Sequence, residues 1–182
     1  MTFQLRHTEQ SDLPILLGWV PTCTDMVLWS GNSFHWPLDL DQLTHDLDSS
    51  RESGRILWTA LQGDGLPVGH ASVITNDDGT IGRFGRVLVN PVKRGKGYGR
   101  SLVERSVDAG FSETTIDLMT LGVYEHNSST RSLYAELGFR ETGVVFDTEV
   151  EGRSRRLIEM SCPRSAFTPG VPQDQSARTP TR

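Results

Sequence analysis

The chain has 182 residues, 36% hydrophobic and 23% charged, with a formal net charge of −5, which fits one folded domain able to bury its own core. No run approaches the roughly 20 apolar residues that span a bilayer, the opening Met1–Arg6 lacks the apolar run of a signal peptide, and the acidic balance argues against general nucleic-acid binding. The two cysteines, Cys23 and Cys162, sit in no CxxC or Cys/His pattern, so no disulfide framework and no metal site are expected, and the expected compartment is a reducing cytoplasm.

Residues 3–6 alternate as a short strand. Asp12 and Pro14 then open an amphipathic helix with Leu13, Leu16, Leu17 and Val20 at helical spacing. Residues 21–37 give no regular period and, with Trp29, Gly31, Phe34, Trp36 and Pro37, read as a loop closing over something. Asp39 followed by Gln42 resembles a capping box, so a second helix is predicted to run to about Ser53. Strands follow over Arg55–Gln62, Val68–Thr75 and Ile81–Val89, joined by turns at Gly63-Asp64-Gly65 and Asn76-Asp77-Asp78-Gly79 and stopped by Pro91. A helix then runs through Ala109, a strand over Asp117–Tyr124, and a helix over Ser128–Leu137 closed by Gly138. Two final strands, Gly143–Glu149 and Ser154–Ser161, flank a turn at Glu151-Gly152. The pattern predicts a single α/β (α+β) domain over residues 1–163, with a mixed, mostly antiparallel sheet of about seven strands and about four helices. Residues 164–182, rich in Pro, Ser, Thr, Gln and Arg, are expected to be a disordered tail.

The stretch with chemical content is Val87-Leu88-Val89-Asn90-Pro91-Val92-Lys93-Arg94-Gly95-Lys96-Gly97-Tyr98-Gly99-Arg100. A buried strand ends there, a glycine turn follows, and a helix begins at once. Such a turn leaves unpaired N–H groups facing one concavity, with the positive end of the helix behind them, and phosphate is the usual occupant. Gly97 and Gly99 let the backbone approach a ligand, while Lys93, Arg94, Lys96 and Arg100 add positive charge. A P-loop is excluded because GxxxxGK[ST] is absent, and the dinucleotide fingerprint fails because Leu102 stands where the third glycine belongs. The competing bland reading is a glycine turn with a solvated basic rim.

The same residues resemble the GNAT superfamily of N-acetyltransferases. Its signature, Gln/Arg-x-x-Gly-x-Gly/Ala, is matched by Arg94-Gly95-Lys96-Gly97-Tyr98-Gly99. A second family element follows in order, Leu121-Gly122-Val123-Tyr124-Glu125-His126-Asn127 and then Ser128 through Phe139. The resemblance covers about residues 3–161. It implies that the amides from Gly95 to Arg100, Lys96, Tyr98 and Gly99 among them, hold the pyrophosphate of acetyl-CoA. The edges of Leu88 and Val89 would bond the pantetheine arm as an added half-strand, with Asn127 on the same arm, in a gap between the strands ending at Val89 and Tyr124. Tyr134 would protonate the departing thiolate, and the amide of Val89 would hold the carbonyl oxygen.

The acceptor is less well marked. Trp29, Phe34 and Trp36 fall where the family's variable loop borders the acceptor pocket, and simple core packing explains them equally well. The first fifty residues hold seven acids and only Arg6 as a base, which suits a cationic substrate or a merely solvated face. No acid lies between Ile81 and Val89; Glu125 and His126 are the candidates for a general base. Arg83 and Arg86 stand on that strand instead, where an acceptor carboxylate can pair with them. Their odd separation puts only one of them in the site. The expected function is transfer of an acetyl group to a primary amine of a small molecule, with no nucleic-acid or membrane partner and a homodimer left open. Acetylation of a protein N-terminus or lysine, and a non-catalytic acyl-CoA sensor, are the alternatives.

Overall fold

The computed structural model describes residues 3–168 apart from 51 and 151. Its core is one sheet of seven strands in the order β1-β2-β3-β4-β5-β7-β6. The strands are β1 (Phe3–His7), β2 (Arg55–Gln62), β3 (Pro67–Thr75), β4 (Ile81–Val89), β5 (Leu118–Tyr124), β6 (Arg140–Val150) and β7 (Arg153–Pro163). All neighbours are antiparallel except β4 and β5, which run parallel. Strand β4 is sequence-adjacent to the glycine turn, so the parallel pair is made by a crossover through the helix that the turn starts.

The helices are α1 (Leu13–Gly18), α2 (Cys23–Ser30), α3 (Leu40–Ser49), α4 (Tyr98–Glu113) and α5 (Ser128–Glu136). Helices α1, α2 and α3 bury Leu13, Leu16, Met26, Trp29 and Leu43 against Leu88. The residues on either side of Leu88, Val87 and Val89, pack into the other core with Leu102, Val107 and Tyr134 of α4 and α5. Alternation along β4 therefore separates two cores on opposite faces of the sheet.

Helix α2 lies inside the stretch expected to be a loop. Its signal is a cap rather than a period: the Thr22 side chain accepts from Asp25 N–H, while Met26, Val27, Leu28 and Trp29 run consecutively and blur any helical spacing. Helix α3 stops at Ser49, short of Ser53, and α4 continues past Ala109 to Glu113. It runs through Gly110, where a Cβ would lie 2.8 Å from Met119 Cε; the glycine lets the helix lie close on the sheet.

The domain also continues beyond residue 163. Arg164 donates to the carbonyls of Ile116, Thr114 and Phe111, and Phe167 lies 5.5 Å from Phe111 between ring centroids. The first residues of the expected tail are thus fastened to the end of α4. The remainder, 169–182, lies outside the described residues.

Candidate active site

Strands β4 and β5 pair only from Ile81↔Leu118 to Arg83↔Thr120. Beyond Arg83 they diverge, leaving the facing edge of β4 open. The cause of the divergence is visible on the other side of β4. There Gly85 faces Ser72 and Leu88 faces His70, so Arg86 and Val87 share the place opposite Ala71. This is a β-bulge, which bends and twists the strand that carries it. Arg86 has φ 52, a left-handed conformation that non-glycine residues avoid. Three contacts hold it there. Its guanidinium lies 2.6 Å from Asp46 and 4.9 Å from the centre of the Phe34 ring, and its carbonyl accepts from Trp29 Nε1 at 2.8 Å.

The gap opens into a cavity of about 1000 Å³ running from the glycine turn to α2. At one end are Arg94, Gly95, Gly99 and Arg100. Gly95 and Gly97 carry φ 74 and 83, and space is open where each Cβ would stand. Gly97 caps α4 with no side-chain hydrogen bond, so the first-turn N–H groups have no side-chain acceptor at the cap. Gly99, by contrast, is an ordinary helical residue.

The charged side chains of this turn divide. Arg94 and Arg100 line the cavity, Arg100 also meeting Glu136 at 2.6 Å. Lys93 turns away to Gln62 Oε1 at 2.9 Å, and Lys96 Nζ lies 3.4 Å from the Val92 carbonyl. Tyr98 is a core residue whose hydroxyl lies 3.1 Å from the same Gln62 oxygen, so only its backbone belongs to the turn.

In the middle, Val87, Val89, Val123, Asn127 and Tyr134 line the walls. Leu88 does not, and its expected contact with the co-substrate is corrected: its side chain enters the α1–α3 core and its backbone pairs with His70 of β3, so by the alternation of the strand it is Val89 whose backbone is turned to the gap. Asn127 caps α5 by accepting from Thr130 N–H at 3.2 Å, which commits Oδ1 and leaves its amide hydrogens for a ligand. Tyr134 is 6% exposed. Burial alone pushes its phenol above the usual value, so the hydroxyl is a donor at neutral pH. Neither Glu125 nor His126 lines the cavity. Glu125 faces Arg156 at 3.7 Å, and the His126 ring rests against Tyr124 at 5.7 Å. No aspartate, glutamate or histidine lines it among the described residues.

At the far end are Val27, Leu28, Trp29, Ser30 and Ser33 on one side and Arg55, Arg83, Arg86 and Phe146 on the other. Trp29 borders the cavity but is largely buried in the core, stacked 5.6 Å from Phe34. Phe34 stands behind Arg86 and Trp36 is 45% exposed; neither lines the cavity. The expectation that only one of Arg83 and Arg86 enters it is corrected, because the bulge between them restores both to one face. Of the two readings of the acidic N-terminal third, attraction of a cationic substrate finds no support in the cavity: none of its acids lines it, and Asp12 and Asp46 pair with Arg6 and Arg86. Arg55 was missed by sequence reasoning. Its signal was the register of the two hairpins, which sets Arg55 and Arg83 on either side of Ile74.

A family model described as the acetyltransferase (GNAT) family matches residues 24–139. Among curated proteins, the chain is 29% identical over 83 residues to a spermidine N(1)-acetyltransferase of Vibrio cholerae serotype O1. That match takes in 45% of this chain and 48% of the relative, about half the length of each. Among solved structures, the V. cholerae spermidine N-acetyltransferase in complex with CoA and spermine superimposes with a TM-score of 0.78 at 21% identity, covering 90% of this chain and 96% of that one. The V. cholerae spermidine/spermine N-acetyltransferase in complex with manganese ions gives 0.73 at 22%, covering 90% and 93%. At such identities the likeness is one of fold.

Proposed function

The chain belongs to the acetyltransferase (GNAT) family, and on that premise we propose that it transfers the acetyl group of acetyl-CoA to a primary amine of a small molecule. The observation that carries the reading is the continuity of one cavity. It joins the start of α4, which has no side-chain cap, through the β4–β5 gap to the hydroxyl-bearing Tyr134 and on to the residues of α2.

The residues fit the co-substrate. The left-handed glycine turn with Arg94 and Arg100 suits a pyrophosphate, the open β4 edge and the Asn127 amide suit a pantetheine arm, and the gap admits a thin chain. When bound, acetyl-CoA supplies an acyl group activated as a thioester. Tyr134 gives its hydroxyl proton to the leaving sulfur as the C–S bond breaks and the C–N bond forms. The attacking nitrogen would shed its own proton to water, which returns one to the Tyr134 phenolate, since among the described residues no carboxylate or imidazole lines the cavity. The extension of the cavity past Tyr134 to α2 leaves room for a small acceptor beside the thioester, and the buried Tyr134 hydroxyl is a proton donor for which a passive acyl-CoA sensor has no use. The relatives are named for spermidine and spermine, and likeness to them is what a polyamine acceptor rests on here.

Gly97→Glu tests the co-substrate site. It places an anion beside the pyrophosphate position; the Cβ meets open space, while the left-handed φ of 83 adds about 1–2 kcal/mol of backbone strain, so folding of the variant is checked by its thermal transition. Isothermal calorimetry should show acetyl-CoA affinity falling at least about a hundredfold, in line with a buried like-charge contact. Unchanged affinity in a folded variant would move the site elsewhere.

A further inference from the structure

Arg55, Arg83 and Arg86 line the far end of the cavity, Arg86 by the bulge and the other two by the register of the sheet. Arg55 pairs with Ile74 and Ile74 pairs with Arg83, so the three form one row across β2, β3 and β4 with side chains on one face. Strands lie about 4.8 Å apart, which separates the two arginine backbones by roughly 10 Å. Guanidiniums on four-bond stems converge easily across that span. Gly122 on β5 leaves room beside it: a Cβ there would lie 3.1 Å from Arg83 Nη2.

The neutralising groups are few. Arg86 is committed to Asp46 at 2.6 Å. Arg83 lies 3.4 Å from Glu159, a carboxylate that also accepts from the Thr142 hydroxyl at 3.1 Å. Arg55 reaches the Ser72 hydroxyl at 3.3 Å, and no carboxylate pairs with it among the described residues. Three cations thus share Asp46 and Glu159, neither of which lines the cavity. One positive charge is left over and turned toward the acceptor. Burial and the neighbouring Arg86 lower the Arg55 pKa to about 10, so the guanidinium remains charged at neutral pH while short of a partner.

We infer that the acceptor is an amine that also carries a carboxylate, which Arg55 and Arg83 bind while the amino group faces the β4–β5 gap. The inference rests on the acetyltransferase reading and narrows its substrate class. Arg83 is the last β4 residue paired with β5, so a carboxylate on its guanidinium sits where the gap begins. An amino group a few bonds away then points along the opening. A guanidinium recognises a carboxylate through two parallel N–H···O bonds and gives a carboxamide no such match. A polycation meets the opposite situation: this end of the cavity is lined by arginine, with no acid among the described residues that line it.

The test uses the full chain with acetyl-CoA at saturation and follows thiol release. The acceptors are a set of amino acids, their carboxamides and spermidine. The carboxylates should exceed their carboxamides in kcat/KM by about tenfold or more, the factor expected of one charge-assisted pair. Arg55→Gln should raise the acceptor KM for the carboxylates about tenfold and leave that for the carboxamides and for acetyl-CoA within about twofold. Arg83→Gln provides the same comparison should the half-buried Arg55 prove necessary for folding. Carboxamides as good as carboxylates, or spermidine better than both, would overturn the inference.

Calorimetry of the same compounds with CoA present separates the two levels. Tighter binding of carboxylates without turnover keeps the substrate class and removes the transferase reading. No preference in either assay removes the substrate class alone, provided some amine is turned over.

Discussion

The role proposed for Tyr134 follows from its place. It follows Asn127 by seven residues, two helical turns, so both lie on one face of α5. Its ring packs against Phe139 at 5.7 Å, while the residue lines the cavity. Tyr134→Phe keeps that packing and removes only the donor, so stability and acetyl-CoA affinity should hardly change. A general acid contributes about 10²–10⁴-fold. Thiolate is a tolerable leaving group and water can substitute in part, so a fall in kcat of about 10²-fold is expected, shared by kcat/KM. Steady-state kinetics on a confirmed amine checks it, and a kcat within about twofold of the parent would make Tyr134 a packing residue. Its position was legible in the sequence because the spacing from Asn127 is fixed by a single helix. Arg55 was not legible, because its meaning depends on a neighbour two strands away.

At the scale of elements, the strands and the glycine turn could be read from alternation, turn residues and the apolar run ending at Val89, whereas the exchange of β6 and β7 in the sheet could not. The bulge in β4 could not. Nothing in the local sequence marks Arg86 as left-handed, since glycine or asparagine is the usual sign. The conformation is imposed from outside the strand by Asp46 of α3 and by Phe34 and Trp29. Two substitutions separate backbone strain from side-chain contact. Arg86→Ala leaves Asp46 unpaired and retains the left-handed backbone, and should cost about 3 kcal/mol. Arg86→Gly loses the same contacts but tolerates φ 52. The strain relieved is about 1–2 kcal/mol, and the extra freedom of glycine in the unfolded chain takes back part of it. The glycine variant should therefore be the more stable by about 0.5–1 kcal/mol. Urea midpoints with unchanged slopes decide it, and a glycine variant no better than alanine would mean that the bulge carries no strain.

For the molecule as a whole, the acid limit of stability is set at His70, buried in the sheet beside Trp29. It pairs in the sheet with Thr59 of β2 and Leu88 of β4, its ring meets Trp29 edge-on at 5.8 Å, and Nδ1 lies 3.4 Å from the Thr8 hydroxyl. Burial, with the nearby Arg86 and Arg55 in the same direction, lowers its pKa to about 3 against the pull of Asp46 and Asp12. The imidazole is therefore neutral in the folded protein, whereas in the unfolded chain it takes a proton below about 6.5. The unfolded state then binds more protons, so stability falls as pH falls from 6.5 toward 3. At pH 5 the difference is about 1.5 pH units, or roughly 2 kcal/mol. Asp12 acts in the same direction but later. Burial opposes its ionisation, yet the Arg6 and Glu9 hydrogen bonds prevail and hold its pKa below the ordinary value, so its contribution is lost only at still lower pH. Between pH 6.5 and 4 the slope should thus be dominated by His70. For a chain of this size the parent Tm should drop by about 4–8 °C from pH 7 to pH 5. His70→Gln should start from a lower Tm, having lost a fitted ring, and should show a markedly flatter profile over the same interval. Thermal scans of both proteins in matched buffers check the sign as well as the size. A parent Tm that is level across the interval, or a variant that falls as steeply, would show that the ring is reached by water or that another group sets the acid limb.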